Sequence, residues 1–108
     1  MKIIVVEPKK APRVTEIGGS LKDLQGIVGG YIEAIYPYED MVAVVCNEEG
    51  KLENLPLNRA LRDENGEIYD IIAGTFFITG LNEYNFASVP DNLIEKYCAM
   101  FAVPEYFI

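Results

Sequence analysis

The sequence predicts an α+β domain: a mostly antiparallel sheet of five or six strands with two helices packed on one face, in the order β-β-α-β-β-β-β-α. Three observations predict it. The apolar residues concentrate in short runs, KIIVVE, MVAVVC and IIAGTFFI, each bounded by Gly, Pro, Asn or Asp. Only two segments show apolar spacings of three and four residues behind a capping serine. The connections between the first strands have the length and composition of tight turns. At 108 residues the chain is one domain, 1–108, and half of its residues are hydrophobic, which is enough to build a core without a disulfide or metal staple.

Taken in order, Lys2 to Glu7 is a β-branched run closed by Pro8, and Arg13 to Ile17 alternates as a half-exposed strand does. PKKAP between them makes an N-terminal hairpin with Lys9 and Lys10 at its tip. Ser20 then caps a helix, with Asp23 three residues on, and Leu21, Leu24 and Val28 fall on its buried face. Gly29 and Gly30 end it, because glycine takes the left-handed C-terminal position without steric penalty.

Tyr31 to Tyr36 and Met41 to Cys46 are strands joined by PYED. Alternation sets Tyr31, Glu33 and Ile35 on one face and Ile32, Ala34 and Tyr36 on the other. MVAVVC does not alternate, so it is a central strand covered on both sides. The polar segment Asn47 to Arg59 reads as a loop presented by rigid neighbours. A short strand near Ala60 to Arg62 and another beginning near Glu67 flank the turn DENG. Asp70 to Thr79 is hydrophobic enough for helix or strand; its β-branched and aromatic residues, and Gly74, make it a strand. Gly80 to Ala87 is a polar loop. Ser88 opens a second helix with Pro90 and Asp91 in its start, a buried stripe of Leu93, Tyr97 and Phe101, and a stop at Pro104. The tail residues Tyr106, Phe107 and Ile108 either pack on the domain or form a self-association surface.

The net charge of −8 is uneven: residues 1–22 carry +3 and the remainder −11. Such a surface repels nucleic acid and anionic membrane, and serves either solubility or docking on a basic partner. With no span of the 18 or so apolar residues a membrane helix needs and no leader-like start, a cytoplasmic protein is expected. Cys46 and Cys98 read as reduced, buried small hydrophobes.

The chain has no histidine, which removes the commonest general base and metal ligand. Two cysteines without close spacing do not make a zinc site, the glycines do not fit a phosphate-binding loop, and DENGEIYD is too short for a calcium loop. No metal or cofactor is expected. Carboxylate chemistry would need two of Glu33, Glu48, Glu49, Glu67 and Asp70 brought together with one of them raised in pKa. Two readings of the loop remain. In one, Arg59 pairs with Glu33 or Glu48 and staples the loop to the sheet, with Asn58 capping backbone groups. In the other, Tyr31, Glu33, Asn58 and Arg59 line a small anion-binding or nucleotide-binding pocket.

GYIE at 30–33, NEEG at 47–50, LPLNR at 55–59, Gly74, Phe86 and Ser88 together resemble the pattern of the domain of unknown function 3846 family, along essentially the whole chain. Val89 and Pro90 depart from the Leu and polar residue that often follow the serine. The resemblance implies a cytoplasmic accessory protein of a phage or mobile element, with no established activity to carry over. The expectation is therefore a non-enzymatic protein that engages a protein partner through its acidic surface and the 47–59 loop, with Tyr31, Glu33, Asn47, Glu48, Asn58 and Arg59 as binding candidates. The alternative is a small-molecule or nucleotide-sequestering domain with Arg59 as the anion anchor; a carboxylate-driven enzyme is the third reading.

Overall fold

In the computed structural model, which describes residues 1–107, KIIVVE, MVAVVC and the second half of IIAGTFFI lie next to one another at the centre of the main sheet. The elements are β1 (Lys2–Val6), β2 (Arg13–Glu16), α1 (Leu21–Val28), β3 (Ile32–Ile35), β4 (Val42–Asn47), β5 (Leu57–Arg62), β6 (Ile68–Ala73), β7 (Phe76–Leu81), β8 (Phe86–Ala87) and α2 (Asp91–Met100). Six strands form one sheet in the order β2-β1-β7-β4-β3, with β8 added to β7; β5 and β6 form a separate two-stranded ribbon. Every pairing is antiparallel. The α+β class and the order of elements are as expected.

The lack of alternation in β1, β4 and β7 has a direct cause: both faces are covered. Ile3, Val5, Ala43, Val45 and Phe77 face α1, where they meet Leu24 and Val28. Ile4, Val6, Val42, Val44, Cys46, Phe76 and Ile78 face the other way and pack on Leu61 and Ile72 of the ribbon and on Tyr97 and Phe101 of α2. The helices therefore lie on opposite faces, not on one. A sheet whose central strands are apolar at both parities must be covered twice: α1 covers one face, and α2 together with the ribbon covers the other.

Local chemistry sets the ends of the elements. Ser20 accepts a hydrogen bond from the Asp23 N–H at 3.1 Å and caps α1. Gly29, in the left-handed region at φ 78°, closes it with its N–H on the Gln25 carbonyl. Leu21, expected on the buried stripe, is exposed, and Leu24 and Val28 alone are the buried residues of α1. Ser88 does not cap α2: its Oγ accepts from the Lys2 N–H at 2.8 Å and ties the start of β1 to the chain entering the helix, leaving Pro90 at the cap position without a side-chain bond.

The run Asp70 to Thr79 is not one strand. Gly74, at φ 83°, breaks it into β6 and β7, which belong to different sheets. A Cβ there would stand 2.7 Å from Leu55 Cδ1, so both the turn and the packing demand glycine. The expected strand near Ala60 starts earlier, at Leu57, which takes Asn58 and Arg59 out of the loop. Within the expected 80–87 loop, Phe86–Ala87 adds a short strand to β7.

Asp40, in the turn after β3, fastens that turn to α2: its Oδ2 accepts from Lys96 Nζ at 2.6 Å and from the Tyr97 hydroxyl at 2.7 Å, and the Tyr97 ring packs against Tyr38 at 5.2 Å between centroids, tilted by 47°. Burial pushes the Tyr38 hydroxyl up to about 12 and raises that of Tyr97 as well. Among the described residues no helix is long and apolar enough to cross a membrane.

Hydrogen bonds from Lys96 and Tyr97 hold the Asp40 carboxyl below the usual range. A bond from Arg13 does the same for Glu7. A depressed carboxylate contributes stability that is present above its unfolded pKa of about 4 and lost as pH falls through the lower folded value. Relief of repulsion among the excess carboxylates acts in the opposite direction over a similar range, so a difference measurement isolates the pair. The urea midpoint of Asp40→Asn is expected to lie below that of the wild type at pH 7, and the gap is expected to close as pH falls below about 4.

Candidate functional site

The segment from Asn47 to Arg59 is bounded by buried polar side chains, and these fix its shape. Asn47, at the end of β4, donates from Nδ2 to the Val28 carbonyl at 3.2 Å and accepts from the Glu49 N–H at 2.8 Å. It thus joins the C-terminus of α1 to the turn after β4. Gly30 makes room for it, since a Cβ at that position would come within 2.8 Å of Asn47 Nδ2. The turn then closes on itself: the Glu53 N–H bonds the Glu49 carbonyl at 2.9 Å and the Leu55 N–H bonds the Gly50 carbonyl at 2.9 Å. Gly50 lies against β6, with the Ala73 carbonyl 2.7 Å from where a Cβ would stand.

At the other end, Asn58 donates from Nδ2 to the carbonyls of Val6 at 2.9 Å and Gly74 at 2.8 Å. Arg59 is fully enclosed, at 0% exposure. Its Nη2 donates to the Lys10 carbonyl at 2.6 Å and the Phe101 carbonyl at 3.0 Å, its Nε to the same Phe101 carbonyl at 3.3 Å, and its Nη1 to Asn58 Oδ1 at 2.7 Å. Burial lowers the Arg59 pKa while the nearby Glu105 charge opposes that shift. Lodged at the C-terminus of α2, the cation also meets the negative end of the helix dipole.

The staple expected at Arg59 is therefore present, but its partners are main-chain carbonyls of the N-terminal hairpin and of α2, not Glu33 or Glu48. Asn58 serves it by orienting the guanidinium. The four-residue pocket of Tyr31, Glu33, Asn58 and Arg59 is not assembled. Tyr31 and Glu33 lie exposed on and beside the edge strand β3, whereas Asn58 and Arg59 are buried in β5. With its donors committed and no exposed surface, Arg59 has no face to offer an anion.

What forms instead is a cleft of about 140 Å³ between the β3–β4 edge and β6. Three of the candidates line it, Glu33, Asn47 and Glu48, together with Ile35, Cys46, Lys51, Leu52 and Asp70. Lys51 Nζ is paired with Asp70 at 2.7 Å, and that bond holds the Asp70 carboxyl below its usual range. Burial, reinforced by Glu33 and Asp70, pushes the Cys46 thiol up to about 11. The cleft therefore contains an ionised carboxylate and a protonated thiol at neutral pH, the reverse of what a general acid and a nucleophile require. Among the described residues Glu33, Glu48 and Glu49 take part in no ion pair. Among the described residues no group of three or more Cys, Asp or Glu is placed to hold a metal.

Lys51 and Leu52 did not stand out as site residues in the sequence, whereas Asp70 did so only as one of the candidate carboxylates. Leu52, an apolar side chain within a polar turn and 84% exposed, is the one that carried a signal, since KLENL has no apolar periodicity to explain it. The tail packs on the domain through Glu105, whose Oε2 accepts from the Ala60 N–H at 3.0 Å and whose Oε1 pairs with Arg62 at 2.5 Å. Beyond it Tyr106 is exposed and Phe107 half-buried; Ile108 lies outside the described residues.

Removing the guanidinium leaves three acceptors without their donor, two of them buried and the Lys10 carbonyl partly so. Arg59→Met is expected to destabilise the fold by about 3 kcal/mol. Arg59→Lys, which cannot reproduce the fork, is expected to recover only part of that, whereas Glu48→Gln stays within about 0.5 kcal/mol of the wild type. Urea midpoints at constant slope check the series.

Neither the curated proteins nor the solved structures yield a match to the chain. The profile of one family, described as "Domain of unknown function (DUF3846)", matches residues 1–102. That span contains the GYIE, NEEG and LPLNR segments, and with them the Gly30–Asn47 fit and the Asn58–Arg59 staple. On this match over almost its full length, the chain belongs to the DUF3846 family of domains of unknown function.

Proposed function

We propose that the protein is a non-enzymatic binding protein that engages a basic protein partner through the carboxylate-bearing cleft and the 48–55 turn above it. The observation that supports this most is the contrast between the two sets of residues in the 47–59 segment. Its buried members, Asn47, Gly50, Asn58 and Arg59, are all engaged in holding the backbone. Among its exposed members, Glu48, Glu49, Leu52 and Glu53 project from that fixed frame, beside Lys51, whose charge is paired with Asp70. A rigid turn that displays three carboxylates and an apolar side chain, with its one lysine already paired, loses little conformational entropy on docking.

Glu33 extends the same negative surface onto β3. Charge recognition of this kind speeds encounter and selects partners more than it adds raw affinity, and salt screens it. The anion-sequestering alternative lacks an anchor once Arg59 is enclosed, and no other feature of the cleft favours it.

Affinity capture from lysate with the wild type and with Glu33→Gln/Glu48→Gln tests the reading. The expected result is a captured basic protein whose retention falls as salt is raised and is lost in the double variant. Capture that equals that of an acidic control protein of the same net charge, or that the double variant leaves unchanged, contradicts it.

A further inference from the structure

β3 is the last strand of the main sheet and among the described residues pairs only with β4, so its other edge has no strand partner there. The Glu48 N–H donates to the Tyr31 carbonyl at 2.9 Å, and Cys46 Sγ lies 3.7 Å from the Glu33 carbonyl. In an antiparallel ladder the direction of the backbone groups alternates. Tyr31, Glu33 and Ile35 thus spend their N–H and C=O groups on β4, and Ile32 and Ala34 direct theirs outward.

The side chains alternate as well. Cys46 is the cross-strand partner of Glu33 and faces the ribbon side, so Glu33 and Ile35 stand on that side at the mouth of the cleft. A strand added to the β3 edge would meet Glu33 at a non-hydrogen-bonded position, where Cα atoms approach to about 4.5 Å and side chains are closest.

Resting on the protein-binding reading above, we infer that the partner is an extended basic segment that adds to the free edge of β3 as an antiparallel strand. Its Lys or Arg lies opposite Glu33, and apolar side chains two residues to either side lie opposite Tyr31 and Ile35. The backbone groups of Ile32 and Ala34 supply affinity, and the alternating side chains supply selection. Charge decides against a second copy of this chain as the occupant. Two-fold pairing that keeps matching faces sets Glu33 against another Glu33, or against Tyr31 or Ile35, and brings together two chains of net charge −8.

A library of blocked seven-residue peptides with lysine fixed at the centre, selected on the full-length protein, tests this. Apolar residues are expected to be enriched two positions to either side of the lysine and not at the adjacent positions. In the selected peptide, N-methylation at a residue adjacent to the lysine removes a bond to Ile32 or Ala34 and is expected to weaken binding about tenfold or more; N-methylation at the lysine itself, whose N–H points away from β3, is expected to be tolerated.

Ala34→Pro deletes an outward N–H and leaves the β4 bonds in place, so it should fold and lose the peptide. Glu33→Lys should turn the preference to a central glutamate. Binding that falls in Glu33→Gln but is indifferent to the position of N-methylation overturns strand addition and leaves the acidic cleft standing. Selection of no lysine-centred peptide over a glutamate-centred control overturns both.

Discussion

A single buried cation organises this fold. The Arg59 guanidinium reaches the carbonyl of Lys10 in the N-terminal hairpin and that of Phe101 at the end of α2, and Asn58 beside it reaches Val6 and Gly74. Segments from both ends of the chain and from its middle meet on two adjacent side chains. A charge taken out of water is tolerated only when its donors are satisfied, and the described side chains leave no buried polar atom without a partner. The staple is therefore specific: a shift of the hairpin, the helix or the ribbon would strand either the cation or a carbonyl.

The same arrangement explains how a nine-residue irregular connection stays ordered. Arg59 and Asn58 fix its far end, Asn47 fixes its near end, and Gly50 presses it against β6. Between those anchors the chain shows water Glu48, Glu49, Leu52 and Glu53, and beside them Glu33 on an unpartnered strand edge. Structure and display are thus divided between different residues of one segment, and a change on the displayed side leaves the anchors untouched.

Much of the fold was legible because its determinants are local. The non-alternating MVAVVC run marks a strand covered twice, Ser20 and Gly29 mark the ends of α1, and the Tyr97–Phe101 stripe marks the face α2 buries. The need for cover on both faces was implicit in the same run; that α2 shares its face with the ribbon was not. What local chemistry did not disclose was tertiary. Gly74 divides two strands because Leu55 packs beneath it, and Ser88 serves β1 and not its own helix. The role of Arg59 was hidden for a general reason. Its partners are chiefly carbonyl oxygens, which every residue carries, so no acidic side chain in the sequence points to them; Glu33 and Glu48, the carboxylates expected to pair with it, make no ion pair among the described residues.

The central claim is that Arg59 is an internal fastener and not a ligand-binding group, and nitrogen-detected NMR of the arginine side chains tests it most directly. The account predicts that Arg59 gives separate Nη resonances, with N–H protons exchanging as slowly as core amides, while Arg13 gives averaged, rapidly exchanging signals typical of an exposed guanidinium. Averaged and fast-exchanging Arg59 signals, or signals that shift when an anion such as phosphate is added, would contradict it.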